Sequence, residues 1–307
     1  MSDVVVLGSL NMDLIVRSEH MPRPGETVHG EQFMTIPGGK GANQAAAAAR
    51  LGASVEMIGR VGVDDFGLAI LDNMRAQGVG VSHILSDPTA PSGIAMIIID
   101  AQGENSIVVA SGANSRVTMD DVRAARDLLA QARYLVMQFE LPLPVVRGAL
   151  AMAQELDLPV ILNPAPAYAV EDAFLQGVHY LVANEIEAQL FTGVEVSGLE
   201  AAQRAGQALL KRGIPVTIIT LGAQGALLVT KERTVHVPAR QVHVVDTTAA
   251  GDAFLGGLVA ALLKRFDLVE AVRYATCAGT LATTVLGAQT SLPSADQVQT
   301  FYEETSS

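Results

Sequence analysis

The segment YLVMQFELPLPVVRGALAMAQELDLPVIL, residues 134–162, sets the fold class. Tyr134–Gln138 is an apolar, strand-like run, Pro144–Leu156 has a helical apolar spacing, and Pro159–Leu162 is again strand-like. A strand, a helix and a strand joined this tightly form a right-handed crossover between parallel strands. The alternation continues through His179–Ala183, a helix from Glu185, the helix Leu199–Arg212 and the strand Val216–Leu221. Val4–Leu7 supplies a first strand near the chain start. The expectation is a mainly parallel α/β sheet with helices on its faces. Ligands on such sheets bind at the carboxyl ends of the strands. Gln138-Phe139-Glu140, Asn163-Pro164-Ala165, Asn184-Glu185 and Thr220-Leu221-Gly222 all fall there.

Two stretches break the alternation. Residues 11–37 hold strand-like pieces, Leu14–Arg17 and Val28–Thr35, with no helix. Residues 92–110 read as a hairpin of Gly93–Asp100 and Ser106–Ala110 around Ala101-Gln102-Gly103-Glu104-Asn105. The simplest assembly is a small second sheet, from excursions at about 11–37 and 91–112, attached to one domain spanning 1–307. Such a sheet could close over a ligand or pair with another subunit.

The 307 residues are half apolar, with no Trp, a formal charge of −12 and a pI near 4.9. That acidity argues against a nucleic-acid or anionic-membrane partner, so a phosphate ligand must be neutralised locally. No apolar run approaches the roughly 18 residues of a membrane span. The chain passes from Asp3 directly into a strand, unlike a signal peptide. The single cysteine, Cys277, reads as a buried small hydrophobe and fits a reducing, cytoplasmic setting. The six histidines show no ligand spacing, which argues against a His/Cys metal site.

Chemistry first shows at Asp246-Thr247-Thr248-Ala249-Ala250-Gly251-Asp252, followed at once by the apolar helical run Ala253–Leu263. Gly251 in a first helical turn costs about 1 kcal/mol relative to Ala. Small residues at 249–251 leave the first helix amides uncovered, and with the helix dipole these form an anion site. Asp252 then sets a carboxylate beside that anion, which suits a group that handles a proton. An anion cradle next to a base is the equipment of phosphoryl transfer to a hydroxyl. The plainer reading is a helix capped by Thr247 or Thr248 with Asp252 favouring the dipole.

Pro37-Gly38-Gly39-Lys40-Gly41-Ala42-Asn43 opens an alanine-rich helix ending near Leu51-Gly52. Its spacing is not that of a Walker A loop, and Gly8-Ser9-Leu10-Asn11 is not a dinucleotide fingerprint. The glycines offer close backbone approach to a ligand. Asn11 and Asp13, two apart at the end of the first strand, point to one side. With Asn43 and Glu140 they supply the planar groups that hydrogen-bond vicinal hydroxyls, a polyol pocket. Asn184 and Glu187 have capping-box spacing; the same spacing could hold Mg²⁺ through waters, but spacing alone favours the box.

Together these residues resemble the ribokinase family of sugar kinases, along essentially the whole chain. Gly8–Asp13 and Pro24-Gly25-Glu26-Thr27 resemble the family's N-terminal pattern, Gly38–Asn43 its first signature and Asp246–Asp252 its second. Agreement at Asn163-Pro164-Ala165-Pro166 and Gly287-Ala288-Gln289 points to the ribose-specific members. Ala253 and Leu255 depart from the family's more usual polar choices after the base.

The resemblance implies a three-layer α/β/α ribokinase-like fold whose small sheet is a lid and a homodimer interface. It implies ATP-dependent phosphorylation of the ribose 5-hydroxyl, with Asp252 as general base and the amides of Ala249, Ala250, Gly251 and Asp252 as anion hole. Asn11, Asp13, Gly38, Gly39, Lys40, Asn43, Glu140 and Asp252 would hold the sugar. Asn184, the Thr220-Leu221-Gly222-Ala223-Gln224-Gly225 loop, Gly251 and Thr276 would hold ATP. Glu187 would act on Mg²⁺ through water. An activating K⁺ would sit among Asp246, Thr248, Ala282, Val285, Gly287 and Ser291. The alternatives are a kinase for 2-deoxyribose, another sugar or a nucleoside, or an inactive sugar or nucleotide sensor. An Asp at its reference pKa of about 3.9 is a weak base at neutral pH, so orientation and charge stabilisation would supply most of the rate.

Overall fold

The computed structural model describes residues 2–305. The chain runs β1 (Val4–Leu7), β2 (Asn11–Ser18), β3 (Gly30–Gly38), α1 (Lys40–Arg50), β4 (Val55–Gly62), α2 (Asp65–Ala76) and β5 (Val79–Asp87). There follow β6 (Gly93–Ile99), β7 (Asn105–Ala110), α3 (Met119–Ala124), α4 (Arg126–Leu129), β8 (Tyr134–Gln138), α5 (Leu143–Glu155) and β9 (Val160–Asn163). Next come β10 (Val178–Asn184), α6 (Glu185–Thr192), α7 (Leu199–Lys211), β11 (Val216–Thr220), β12 (Ala226–Thr230) and β13 (Thr234–Val237). The chain closes with α8 (Ala250–Leu263), α9 (Leu268–Ala282) and α10 (Ala295–Thr305).

Nine strands form one sheet in the order β13-β12-β11-β10-β9-β8-β1-β4-β5. It is parallel from β5 to β11, and the antiparallel hairpin of β12 and β13 finishes one edge. Alternation along β1 feeds two cores. Val4 and Val6 pack with α1, α8 and α9 residues such as Ala45, Leu258 and Tyr274 on one face. Val5 and Leu7 pack with α5 and α7 residues such as Val146, Leu150 and Leu209 on the other. Helices on both faces of one sheet make the three-layer α/β/α arrangement expected from the alternation.

The two excursions pair as a separate four-stranded sheet, in the order β3-β2-β6-β7. β2 runs parallel to β6, with Asn11 opposite Gly93 and Arg17 opposite Ile99. Its own buried centre is small: Ile15, Ala95 and Ile97, flanked by Met34, Ile36 and Ile99. Phe33, Met96, Ile107 and Val108 stay exposed. Among the described residues no helix is long and apolar enough to cross a membrane.

Ala253 and Leu255 lie fully inside the core, since α8 is buried nearly all round. It crosses α1 at van der Waals range. A Cβ on Gly256 would lie 2.4 Å from Cβ of Ala47 and 2.8 Å from backbone atoms of Ala47 and Ala48. Gly256→Ala would gain about 1 kcal/mol of helix propensity, but backbone obstacles cannot rotate aside. The substitution should therefore destabilise by a net of about 1–3 kcal/mol, read as a lowered urea midpoint at unchanged m-value.

Candidate active site

β1 lies between β4 and β8, where the strand order switches direction, so a crevice opens at the carboxyl end of β1. Gly39 caps α1 with φ 92°. A Cβ there would stand 2.9 Å from the Asn11 amide nitrogen and 3.0 Å from the Ser9 carbonyl oxygen, so only glycine fits. This turn brings the Lys40 amide to Oε2 of Glu140 at 3.0 Å. The Ser9 hydroxyl donates to the same oxygen. Glu140 is thereby fixed at the crevice, beyond the end of β8.

Asn11 and Asp13 open β2 of the small sheet rather than ending the first strand, which stops at Leu7. The parity argument survives the shift, because residues two apart on any strand share a face. Asp13 packs against Gly38, whose missing Cβ would fall 2.2 Å from Asp13 Oδ2. Asn11 is oriented by a residue with no sequence signal. Asn114 accepts from the Leu10 amide at 2.9 Å and donates to the Leu10 carbonyl at 3.0 Å and to Asn11 Oδ1 at 2.8 Å. With its Oδ1 engaged by Asn114, Asn11 keeps its Nδ2 donors available at the cavity. Asn11, Asn114 and Glu140 line a cavity of about 390 Å³ with Ser9, Phe139 and Tyr168.

Neither threonine caps α8. The N-cap is Ala249, in the left-handed region at φ 59°, with no side-chain hydrogen bond. Thr248 is engaged elsewhere, its amide and hydroxyl both donating to Asp246 Oδ1, at 2.9 and 2.7 Å. The Ala250 amide donates to the Thr247 carbonyl at 3.2 Å. The amides of Gly251 and Asp252 meet no acceptor among the described residues. The space where a Gly251 side chain would stand is open, with nothing within 4 Å.

Asp252 is buried beneath that opening. Asn43 Nδ2 donates to Oδ2 at 3.1 Å, and Gln44 Nε2 donates to Oδ1 at 2.9 Å. The other end of the Asn43 amide, Oδ1, is buried without a hydrogen-bond partner among the described residues. Burial pushes the Asp252 carboxyl above its ordinary value, against the opposing effects of Lys40, Gln44 and Asn43. This departs from the expectation of an acid at its reference value, and makes a stronger base. Burial disfavours the Lys40 ammonium, but the carboxylates of Asp252, Glu140 and Glu187 outweigh it and hold its pKa high.

Asn184 and Glu187 form the capping box that their spacing favoured. Asn184 Oδ1 accepts from the Glu187 amide at 2.8 Å, and Glu187 Oε2 accepts from the Asn184 amide at 2.9 Å. The box also faces a cavity of about 210 Å³, shared with Lys40, Thr220, Thr247, Gly251 and Asp252. Burial raises the Glu187 carboxyl. The turn after Thr220 is tied by Leu221 and Gly225, with the Leu221 amide donating to the Gly225 carbonyl at 2.8 Å. Ala223 and Gln224 on this turn are exposed. Thr276 lines a separate cavity of about 260 Å³ with Val237, Pro238, Arg240, Cys277 and Phe301. That wall was not foreseen, since its residues come from three distant segments.

Asp246 joins two loops. Besides Thr248, its carboxylate accepts from the Gly287 amide at 2.9 Å, and the Asp246 amide donates to the Thr283 carbonyl at 3.1 Å. Burial works to raise its pKa, yet the donors from Thr248 and Gly287 prevail and keep it charged. Thr248, Ala282, Val285, Gly287 and Ser291 all belong to these two loops and the end of α9. Buried Ser291 donates its hydroxyl to the Ala288 carbonyl at 2.8 Å. Among the described residues no cluster of His, Cys, Asp or Glu is arranged to hold a metal, so a cation here would depend chiefly on carbonyls.

Burial, then the charges of Glu140 and Asp252, raise Asp13 to a pKa of about 7. Between the unfolded value of 3.8 and about 7 the folded chain keeps a proton that the unfolded chain has released. This contribution to stability is complete below pH 3.8 and is lost as pH rises through 7. Asp13→Asn should therefore be more stable than the parent by about 1–3 kcal/mol at pH 8, with the gap closing by pH 4 in urea titrations.

Comparison with known proteins accords with this geometry. The model of the "pfkB family carbohydrate kinase" matches residues 1–295. A ribokinase of Haemophilus influenzae is 39% identical over 98% of each chain. A deoxyribokinase of Salmonella typhi is 35% identical over 96% of this chain and 97% of its own. The structure of Arabidopsis thaliana ribokinase, complexed with ribose and ATP, superposes with a TM-score of 0.91 at 28% identity, covering 98% of this chain and 99% of that one. The chain belongs to the pfkB family of carbohydrate kinases.

Proposed function

We propose that the enzyme transfers the γ-phosphoryl group of ATP to the 5-hydroxyl of D-ribose, releasing ribose 5-phosphate and ADP. The observation that carries this reading is the pair of unpartnered amides, Gly251 and Asp252, opening beside the buried Asp252 carboxylate. The ribose oxygen forms the new P–O bond as the bond to ADP breaks, and its proton passes to Asp252. The amides and Lys40 stabilise the charge on the migrating group.

Asn11, Asp13, Gly38, Gly39, Asn43 and Glu140 would hold the sugar. The unpartnered Oδ1 of Asn43 suits a sugar hydroxyl, while its N–H already donates to the base. Asn184, the 220–225 turn, Gly251 and the cavity bearing Thr276 would take the nucleotide. The residues present fit the two cations. Glu187 and Asp252 face the small cavity with Lys40, so a Mg²⁺ ion held through water would neutralise phosphate there. Charged Asp246, tying together the loops that carry Thr248, Ala282, Val285, Gly287 and Ser291, suits K⁺, which would order the start of α8. The small sheet, formed by residues 11–37 and 91–112, would serve as a lid over the sugar. Its exposed Phe33, Met96 and Val108 would be covered by a second copy, giving a homodimer. A single cysteine and the use of ATP suit the cytoplasm.

The second reading, a 2-deoxyribose kinase, draws on the deoxyribokinase relative. Asn11 favours ribose, since its amide orientation is fixed by Asn114 and leaves donors for a hydroxyl oxygen. Losing one such partner costs about 1–3 kcal/mol. An ADP-release assay with Mg²⁺ and K⁺ should then prefer ribose to 2-deoxyribose by about 10- to 100-fold in kcat/KM, with fructose and adenosine poorer. Preference for 2-deoxyribose would overturn the assignment, and no turnover with any sugar would mark a sensor.

Asp252→Asn should reduce turnover by about 10²–10⁴ while calorimetric ribose affinity stays nearly unchanged. Turnover at the parental level would refute the base. Gly251→Ala meets no clash and gains about 1 kcal/mol of helix propensity, yet its methyl would enter the phosphoryl space. Thermal stability should hold or rise while kcat falls at least tenfold.

A further inference from the structure

Behind Asp252 lie two buried amides, Gln44 and Gln138, that line neither the sugar pocket nor the nucleotide cavities. Gln44 of α1 and Gln138 of β8 are each 1% exposed. Gln44 Nε2 donates to Asp252 Oδ1 at 2.9 Å and to Asn163 Oδ1 at 3.1 Å. Asn163 in turn donates through Nδ2 to the Val182 carbonyl at 2.9 Å, which fixes its own orientation. Gln44 Oε1 accepts from Gln138 Nε2 at 2.6 Å. Gln138 Oε1 ends the chain of amides with no hydrogen-bond partner among the described residues.

The direction of the chain follows from the carboxylate. An ionised Asp accepts only, so Gln44 must turn its nitrogen toward Asp252 and its oxygen toward Gln138. Gln138 must then present its nitrogen, leaving a buried carbonyl oxygen unsatisfied. Folded chains rarely leave one. Gly8 makes room for it: a Cβ there would lie 2.2 Å from Gln138 Oε1. With Asn43 on Oδ2 and Gln44 on Oδ1, rotation of the carboxylate breaks both bonds at once. One lone-pair direction on each oxygen is left for an incoming hydroxyl.

We propose that Gln44 and Gln138 are positioning residues that act in series, Gln138 locking the Gln44 amide and Gln44 locking the plane of the Asp252 carboxylate for proton acceptance. The inference rests on Asp252 being the base. The sheet, through β8 and β9, thus sets the aim of a side chain carried by α8.

Gln44→Met, Gln138→Met, the double variant and the near-isosteric Gln138→Glu would be compared with the parent and with Asp252→Asn. Each would be checked for native circular dichroism and for ribose binding by calorimetry. Gln44→Met should lower kcat about 10²-fold and Gln138→Met about tenfold, with KM for ribose changed less than about twofold. The double variant should match Gln44→Met, as links in series require. Loss of a donor lets Asp252 keep its proton longer, so the acid limb of the kcat–pH profile should move to higher pH in Gln44→Met. Lys40, Asp13, Glu140 and Glu187, the other charged groups around Asp252, are unchanged in that variant. Gln138→Glu keeps the shape of the side chain but cannot donate once ionised, so its loss of kcat should deepen as pH rises, which that of Gln138→Met should not. Folded Gln138 variants with parental kcat, or losses that multiply in the double variant, would overturn the relay. If those appear while Asp252→Asn is inactive, the relay alone fails; if Asp252→Asn keeps parental turnover, the base assignment fails with it.

Discussion

The site depends on the close crossing of α1 and α8. Two helices can approach to backbone contact only where side chains are absent, and Ala47, Ala48 and Gly256 provide that absence. The crossing places the first turn of α1, with Asn43 and Gln44, against the first turn of α8, with Asp252. Each helix brings what the other needs: α8 carries a buried acid, and α1 carries the donors without which burying a charge would be prohibitive. Bulkier residues at the crossing would separate carboxylate from amides before they disturbed anything else.

Electrostatics reinforces this economy. The chain carries a formal charge of −12, and four of its carboxylates, Asp13, Glu140, Glu187 and Asp252, gather at the crevice. Lys40, whose raised pKa reports the field of three of those carboxylates, is the cation facing them. In the proposed reaction polyanionic ATP enters this field, so helix amides, Lys40 and bound cations must provide the compensation that surface charge does not.

Much of the fold was legible because periodicity is local. The strand–helix alternation after Tyr134 and the two β excursions were readable from apolar spacing, and the strands pair where those segments predicted. The capping box at Asn184 and Glu187 was readable for the same reason, since both ends lie within one turn. What escaped was whatever depends on long-range approach. Gln44 in an alanine helix resembles a solvent-facing residue until α8 is laid across it. Asn114 stands 103 residues from the Asn11 it orients. The plainer reading, a threonine cap on α8, fails because Asp246 draws Thr248 into a loop tie, and composition carries no trace of that competition. Asn11 and Asp13 were given a shared face but the wrong strand: β1 ends at Leu7, and both residues open β2 of the small sheet.

The four-stranded excursion has a thermodynamic character of its own. Its interior is three small or medium side chains, and its parallel seam joins segments about eighty positions apart in the chain. Closing so long a loop for so little burial leaves that subassembly with a thin margin of cohesion. Its hydrogen bonds can therefore break and re-form many times while the nine-stranded platform stays intact. In the proposed role as a cover this is an asset, since entry and exit of a sugar would draw on a weakness already present in the architecture.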